Sequence, residues 1–288
     1  MYRCLGVFRE VQNSPNRETD DALILKAVLE RLALLGAQTR AVTPEEFDSM
    51  DPSRWDVVLP MCEAYPRLKR LANRPRGGGP LWVNPPRSVL NCYRAHMVAV
   101  LAATPGVRFP HTELRAVKNG PGRLPASRDG WWIKRGDVHN TCDHDVVHAA
   151  SAEAAEHILR DFAEREIPQW IVQTHVPGDV VKFYGVGPGH WFTWFYHDPV
   201  RAARHAFEVD DLAGQAARGA QALGLEVFGG DAIISPGGSV TLIDLNSWPS
   251  FALVRGEAAV QISWHLQRRM HRKSAVRAPT GRRTRKRP

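Results

Sequence analysis

Two aspartates stand on strands that are predicted to face each other near the end of the chain. Residues 232–234 and 240–243 are rich in β-branched residues and flank the sequence Pro-Gly-Gly-Ser. This pattern is typical of a β-hairpin, because glycine tolerates the positive φ of a tight turn. If the turn is centred between residues 237 and 238, Asp231 lies opposite Asp244. Asn246 then shares a face with Asp244, since strand side chains alternate.

The chemistry expected of these three side chains is cation binding. Carboxylates that face each other across a ladder repel, so a buried acidic pair needs a compensating cation. Two carboxylates and an amide carbonyl form an all-oxygen set that suits Mg²⁺, held partly by the phosphates of a nucleotide. The alternative is a surface hairpin that carries two aspartates, but these residues are embedded in apolar strands. The pattern therefore favours a magnesium site made of Asp231, Asp244 and Asn246.

Two lysines on predicted strands could contact phosphate. Lys134 ends an apolar strand at the edge of a polar loop, where its point charge could contact a nucleotide phosphate or simply lie at the surface. Lys182 lies inside a strand, either as a half-exposed structural residue or as an anion contact in a cleft. A further strand ends just before a Pro-Gly pair, and its last backbone groups could bind an adenine edge: Gln173, Thr174, His175 and Val176.

The polar loop after Lys134 suggests a second kind of metal site. It contains three histidines and a cysteine within reach of one another along the chain: His139, Cys142, His144 and His148. Their spacing matches no common zinc pattern, and a loop that clamps phosphates uses the same residue types. No G-x-S-x-G elbow supports a Ser-His-Asp triad. Neither a P-loop nor a G-x-G-x-x-G fingerprint is found.

Size and composition are those of an ordinary globular chain. The 288 residues are 43% apolar and 24% charged, enough for one large domain or two to three smaller ones. No secretory signal and no apolar run of about 20 residues is found. Four cysteines without a C-x-x-C pair indicate reduced thiols, and we expect a cytoplasmic protein.

The net charge of +8 comes from the C-terminal end. From Arg268 onward there are ten Lys or Arg and no Asp or Glu, which leaves 28 basic against 30 acidic residues elsewhere. Residues 267–288 are predicted to be a disordered basic tail. The alternative is a weak, salt-dependent grip on a polyanion, although the tail has no aromatic residue that could stack on bases.

The order of elements predicts a mixed architecture. Strands at residues 5–9, 38–42, 55–59 and 81–84 alternate with helices, including one at 20–35 and one that a capping box starts at Thr43. Residues 1–86 therefore form a small α/β domain with a parallel sheet. The body, residues 87–266, begins with a helix that carries Arg94 and is α+β with antiparallel pairs. Its predicted strands are 131–134, 167–176, 179–186 and 190–196, and its helices 151–164, 210–223 and 257–270.

The order of these predicted elements and sequence motifs resembles that of the ATP-grasp superfamily. The similarity covers residues 81–251 and rests on the strand lysines, the Gln-x-x-Val strand end, Gly-x-Asp and Asp-x-Asn-x-x-Pro. It implies two α+β subdomains that hold ATP between them. Lys134 would contact the phosphates, residues 173–176 would form the hinge that binds adenine, and Arg94 is assigned to the nucleotide as well. Asp231, Asp244 and Asn246 would hold Mg²⁺.

Two positions depart from the ligases of this family. These usually carry Glu where Asp244 stands and Arg where Lys182 stands, so Arg201 or Arg204 is left as the residue that holds an acyl phosphate. The strings KRGDVHNTCDH, QTHVPGDVVKFYGVG and IDLNSWPSF are closer to the inositol-phosphate kinase branch. By that resemblance, His139 and Lys182 would face a phosphorylated substrate.

The resulting expectation is an ATP- and Mg²⁺-dependent ligase that joins a carboxylate to an amine through an acyl phosphate. Lys182, His139 and Arg201 are its predicted catalytic residues. The alternatives are a small-molecule kinase of the same fold, and a nucleotide- or nucleic-acid-binding module without turnover.

Overall fold

The N-terminal part of the chain forms a parallel sheet, as the sequence predicts. The structure is a computed structural model that describes residues 1–11, 18–75, 79–137 and 142–277. The first sheet has four parallel strands in the order β2-β1-β3-β4. These strands are β1 (Arg3–Val7), β2 (Gln38–Val42), β3 (Val57–Pro60) and β4 (Leu81–Trp82). Three helices accompany them: α1 (Glu18–Leu34), α2 (Pro44–Asp48) and α3 (Tyr65–Ala72).

Local sequence signals set the ends of two of these helices. The Thr43 hydroxyl accepts a hydrogen bond from the Glu46 N–H at 3.2 Å, and the Glu46 carboxylate accepts one from the Thr43 N–H at 2.8 Å. This confirms the predicted capping box, with Pro44 at the first helical position. Gly36 follows α1 with φ +87°, the left-handed conformation that glycine adopts at low cost. Helix α3 was not predicted.

A second sheet of four antiparallel strands follows, in the order β5-β8-β6-β7. Its strands are β5 (Thr112–Ala116), β6 (Trp131–Arg135), β7 (Val146–Ala149) and β8 (Gln169–Thr174). Helix α6 (Ala152–Glu164) packs on it through Ile158, Leu159 and Phe162. The sequence did not predict β5 and β7, because both are short and lack the alternation of apolar and polar residues that marks a strand.

The third sheet is also antiparallel, with the order β10-β9-β11-β12. Its strands are β9 (Asp179–Val186), β10 (Trp191–Tyr196), β11 (Val227–Ile234) and β12 (Val240–Ser247). The remaining helices are α4 (Pro86–Asn91), α5 (Arg94–Ala103), the single turn α7 (Gly187–His190), α8 (Val209–Leu223) and α9 (Arg255–Arg277). One hydrophobic core joins the first sheet to the third through α1 and α9, so the N-terminal sheet is fixed against the strands that carry the acids.

The end of α9 corrects one prediction. The helix was expected to stop at Met270, with a disordered tail from residue 267, but it continues to Arg277. Lys and Arg are good helix formers, and contacts hold this part of the helix: Arg269 pairs with Glu226 at 3.0 Å and Lys273 donates to the Gly79 carbonyl at 2.7 Å. Residues 278–288 of the predicted tail lie outside the described residues. Within the described part of the chain, no helix combines the length and apolar character needed to cross a bilayer.

Candidate nucleotide and metal site

The third sheet brings the two aspartates face to face. Asp231 on β11 pairs with Asp244 on β12, as the sequence predicts. The hairpin reaches this register in an unexpected way, since Ile234 pairs with Val240 and the turn is centred one half-residue earlier than predicted. A β-bulge after Asp231 inserts Ile243 into β12 and restores the pairing of the acids. The correct pair was therefore predicted from a turn position that was slightly wrong.

The surroundings of the acids fit a hard divalent cation. The ammonium group of Lys182 on β9 donates a hydrogen bond to the carboxylate of Asp231 at 2.9 Å, so one positive charge already balances this acid. The amide oxygen of Asn246 is buried and has no hydrogen-bond partner, although a buried acceptor without a partner costs free energy. Two carboxylates and this unpartnered oxygen form a donor set that suits Mg²⁺.

A zinc site receives no such support. Among residues 1–11, 18–75, 79–137 and 142–277, no three His, Cys, Asp or Glu side chains cluster as metal ligands. Cys142 and His144 are exposed, and His148 contacts the Asp129 carbonyl at 3.0 Å. His139, which was predicted both for zinc and for catalysis, lies outside the described residues.

The glycines before Asp231 are required by close packing. A Cβ added at Gly230 would overlap the carbonyl oxygen of Asp244, and one at Gly229 would lie 2.8 Å from the Pro249 side chain. The Gly-Gly-Asp sequence therefore lets β11 and β12 approach closely where the acids meet.

Lys134 reaches the same region from the second sheet. Its side chain is 8% exposed, and its ammonium donates to Gln173 at 2.7 Å. Burial, reinforced by the nearby guanidinium of Arg94, lowers the pKa of Lys134 to about 8, while the charges of Asp244 and Asp231 oppose that shift. Lys134 is therefore close enough to Arg94, Asp244 and Asp231 for their charges to act on it.

Arg94 is buried at the start of α5, where its guanidinium donates to the Arg135 carbonyl at 2.7 Å. Burial lowers the pKa of Arg94, and the carboxylate of Asp244 raises it. A buried arginine and lysine with an acid pair opposite form a region that attracts both a polyphosphate and its cation.

The predicted hinge lies where β8 ends between β5 and β6. The amide of Gln173 is occupied, because it accepts from Lys134 and donates to the Thr112 hydroxyl at 3.2 Å. The N–H groups of Thr174 and His175 donate to the His111 and Gly130 carbonyls, both at 3.0 Å. These groups are therefore already used inside the protein. Val176, the next residue, is half-buried, and it is the remaining member of the predicted hinge.

The His175 ring joins a small aromatic cluster beside this segment. It accepts from the Trp132 indole N–H at 3.0 Å and lies 5.1 Å from the His148 ring, measured between centroids. Burial and the neighbouring His148 lower the pKa of His175, so this ring stays neutral and keeps the acceptor that Trp132 uses.

The predicted arginines do not reach the acid pair. The side chain of Arg201 is 89% exposed and lies 3.6 Å from Asp198, on the loop that follows β10. Arg204 lies over the Tyr196 ring at 5.9 Å. The site therefore receives its described positive charges from Lys134, Lys182 and Arg94.

Sequence reasoning missed two residues near the N-terminus that contact the start of β11 and the end of β12. Arg9, just after β1, donates to the Trp248 carbonyl at 2.6 Å, two residues beyond Asn246. Its guanidinium is buried between Glu63 at 2.9 Å and Asp21 at 3.3 Å.

Asn84 uses both ends of its amide on the same two strands. Its oxygen accepts from the N–H groups of Glu226 at 2.6 Å and Val227 at 2.9 Å. Its nitrogen donates to the Val227 carbonyl at 2.6 Å and to the Ser247 hydroxyl at 2.9 Å. Asn84 lies at the end of the predicted N-terminal domain, and no local sequence signal distinguished this role.

A cavity of about 620 Å³ opens where β1 and β2 end, and Arg9 forms part of its wall. The carboxyl ends of parallel strands are the usual place for ligands in such sheets. The wall carries both signs of charge. Arg67 contacts Glu10 and pairs with Asp48 at 2.9 Å.

Comparison with protein-family models and with curated proteins finds no match. Comparison with solved structures finds many. A RimK domain protein ATP-grasp from Sphaerobacter thermophilus is 15% identical, with 92% of this chain and 99% of that chain covered and a TM-score of 0.64. The D-cycloserine synthetase DcsG is 17% identical, with 93% and 99% covered and a TM-score of 0.63. A D-alanine–D-alanine ligase from Bacillus anthracis complexed with ATP is 12% identical, with 96% and 98% covered and a TM-score of 0.64.

Identities this low establish the fold and leave the reaction open. The matches extend over nearly the whole of this chain and of each solved structure. They agree with an architecture of one parallel sheet followed by two antiparallel sheets. The chain has the ATP-grasp fold.

Proposed function

We propose that this protein is an ATP- and Mg²⁺-dependent ligase that activates a carboxylate as an acyl phosphate and joins it to an amine. The observation that carries the proposal is a buried lysine and arginine, Lys134 and Arg94, together with the facing acids Asp231 and Asp244, whose charges act on Lys134. A triphosphate with its cation is the ligand that complements both signs of charge in one cleft. In the ATP-grasp fold, the D-alanine–D-alanine ligase and the D-cycloserine synthetase support the ligase class.

The residues of the site divide the work by charge. Lys134 and Arg94 would neutralise the phosphates from inside the protein, where low dielectric strengthens the attraction. Asp231, Asp244 and Asn246 would hold Mg²⁺, which when bound screens charge on the phosphates. Lys182 lies beside Asp231 and is placed to stabilise the charge on the transferred phosphoryl oxygens. Catalysis of this kind consists mainly of positioning and charge neutralisation.

The cavity beside the N-terminal sheet is the proposed substrate site. It has room for a small molecule, at about 620 Å³. Its charged wall contains more acids than bases, which suits a substrate that carries an amine: Arg9, Arg67 and Arg70 against Glu10, Asp21, Glu45 and Asp48. Arg9 links this wall to the Trp248 carbonyl and hence to the metal strand.

A small-molecule kinase is the second candidate. Lys182 stands where ligases of this family usually have arginine, and Arg201, the predicted substitute, is exposed on a distant loop. A lysine, rather than an arginine, beside the transferred phosphoryl group would equally serve transfer to a hydroxyl.

Release of phosphate from ATP tests the proposal. The protein would be incubated with ATP, Mg²⁺, and pooled carboxylic acids with or without pooled amines, and phosphate would be measured. A ligase releases phosphate only when both pools are present, whereas a kinase forms a stable phosphorylated product when pooled alcohols replace the acids and amines. Asp244→Ala should abolish turnover. Asp161→Ala, a change on the exposed side of α6 where Asp161 pairs with Arg165, should retain it. Equal phosphate release by wild type and Asp244→Ala would refute the site.

A further inference from the structure

Helix α9 presents a basic surface that the proposed reaction does not use. Its inner side is buried, since Ile262 and Leu266 belong to the core that joins α9 to α1. On the outer side, residues at helical spacing of three and four form one face, which we call the Trp264 face: Trp264, Arg268, His271 and Arg272. All four side chains are exposed, and the Trp264 side chain is 48% exposed.

The two arginines of this face are not paired with acidic side chains in the part of the chain that the structure describes. Glu226 is already paired with Arg269 at 3.0 Å and with His265 at 2.6 Å, on the inner side of the helix. No ion pair of Arg268 or Arg272 occurs among the described residues. Glu257 lies on the same side of α9, two turns before Trp264, and its carboxylate accepts a hydrogen bond from the Trp191 indole at 2.8 Å.

His190, in the turn α7, lies beside helix α9. Its ring lies 6.1 Å from that of His265, measured between centroids. Burial, then the charges of Arg268, His265 and Arg272, lower the pKa of His190, so this ring adds no positive charge of its own. The chain then continues beyond Arg277 into a segment with five more Lys or Arg and no acid. The Trp264 face therefore lies on the helix that leads into the most basic part of the sequence.

We propose that the Trp264 face of α9 binds single-stranded nucleic acid, in addition to the ATP chemistry of the cleft. A groove that tracks phosphates with cations and stacks bases on an exposed aromatic ring is the usual arrangement for such strands. Trp264 would supply the ring, and Arg268 and Arg272, one and two turns further on, would contact phosphates. The tail alone lacks an aromatic residue, and the helix provides one.

A membrane surface is a poorer fit. An interfacial helix inserts a broad apolar face of Trp, Phe and Leu residues. Here the apolar side of α9 is packed against α1, and Trp264 is the one apolar member of the exposed set. An isolated indole among cations suits a ligand with its own aromatic rings better than an acyl-chain boundary.

The test uses the full chain and a fluorescein-labelled oligothymidylate of about 15 nucleotides, within the range of known site sizes. Fluorescence anisotropy would give the affinity as a function of salt. Trp264→Leu should weaken binding on the order of ten-fold, and more for the single strand than for a duplex of the same length, because base stacking is lost. The double variant Arg268→Gln/Arg272→Gln should reduce the salt slope by about 1.4, since each contact to a single strand contributes about 0.7.

Arg160→Gln is the matched control, because Arg160 is an exposed arginine on another helix, α6. It should leave both the affinity and the salt slope unchanged, and circular dichroism would verify that each variant is folded. If wild type, the Trp264 face variants and the control all bind equally well, the proposal is overturned, because the oligonucleotide is then bound elsewhere on the chain. Tighter binding to phosphatidylserine vesicles than to the oligonucleotide, with the same sensitivity to Trp264→Leu, would overturn it in favour of a membrane.

Discussion

The buried Lys134 makes the stability of this protein depend on pH in a defined way. Its pKa is lowered from 10.5 to about 8 in the folded chain, first by burial and then by Arg94. Between these two values the unfolded chain binds more protons than the folded one, so stability rises with pH across that window. Well below pH 8 the ammonium is charged in both the folded and the unfolded chain, and burying this charge lowers the free energy of unfolding by roughly 3 kcal/mol.

Lys134→Met removes this titration. The free energy of unfolding of wild type minus that of the variant should increase by about 1.3 kcal/mol between pH 7 and pH 9, as the folded-state lysine loses its proton. The variant also leaves Gln173 without its 2.7 Å contact, but that cost does not change with pH. Urea unfolding followed by tryptophan fluorescence at several pH values gives the difference directly.

The control for this experiment is Lys118→Met, because Lys118 is exposed and its ammonium stays in water in both states. The difference between wild type and this control should be flat over the same range. A flat difference for Lys134→Met as well would mean that Lys134 is not buried beside Arg94, and the account of the cleft would fail. Lys134→Met should also weaken ATP binding, measured by calorimetry, whatever its stability.

Three further changes probe the elements that hold the site. Asn246→Ala should alter the free energy of unfolding by less than about 1 kcal/mol, since it also removes a buried acceptor without a partner. It should lower the Mg²⁺ dependence of ATP binding in calorimetry, and an unchanged dependence would exclude Asn246 as a ligand. Arg9→Met should destabilise by about 3 kcal/mol in urea, because Glu63 and Asp21 are left buried without their cation. The exposed Arg201→Met should change stability by less than about 0.5 kcal/mol, and equal effects would contradict the role of Arg9. Gly230→Ala should destabilise by roughly 1–3 kcal/mol through overlap with the Asp244 carbonyl, whereas Gly237→Ala, with open space around it, should not. Thermal unfolding measures both, and equal midpoints would show that β11 and β12 do not approach as closely as described.

Patterns with a short physical range were readable from the sequence. The capping box at Thr43 involves atoms three residues apart. The hairpin that carries Asp231 and Asp244 was readable from a glycine turn between two strands rich in β-branched residues, because these signals act over a few residues. Even there the sequence did not show the bulge that inserts Ile243, because a bulge depends on how the partner strands pack.

The tertiary structure alone decided which distant residues hold the site. Asn84 bonds Val227 across 143 positions of the chain, and Arg9 reaches Trp248 across 239. No periodicity or local propensity encodes such contacts, since they form only when the N-terminal sheet packs against the third sheet. The tertiary structure likewise buried Lys134 and left Arg201 in solvent, although both were basic residues near predicted strand ends. Sequence determined the donors and their spacing along each strand. Burial and the meeting of sheets determined which of them share one cleft.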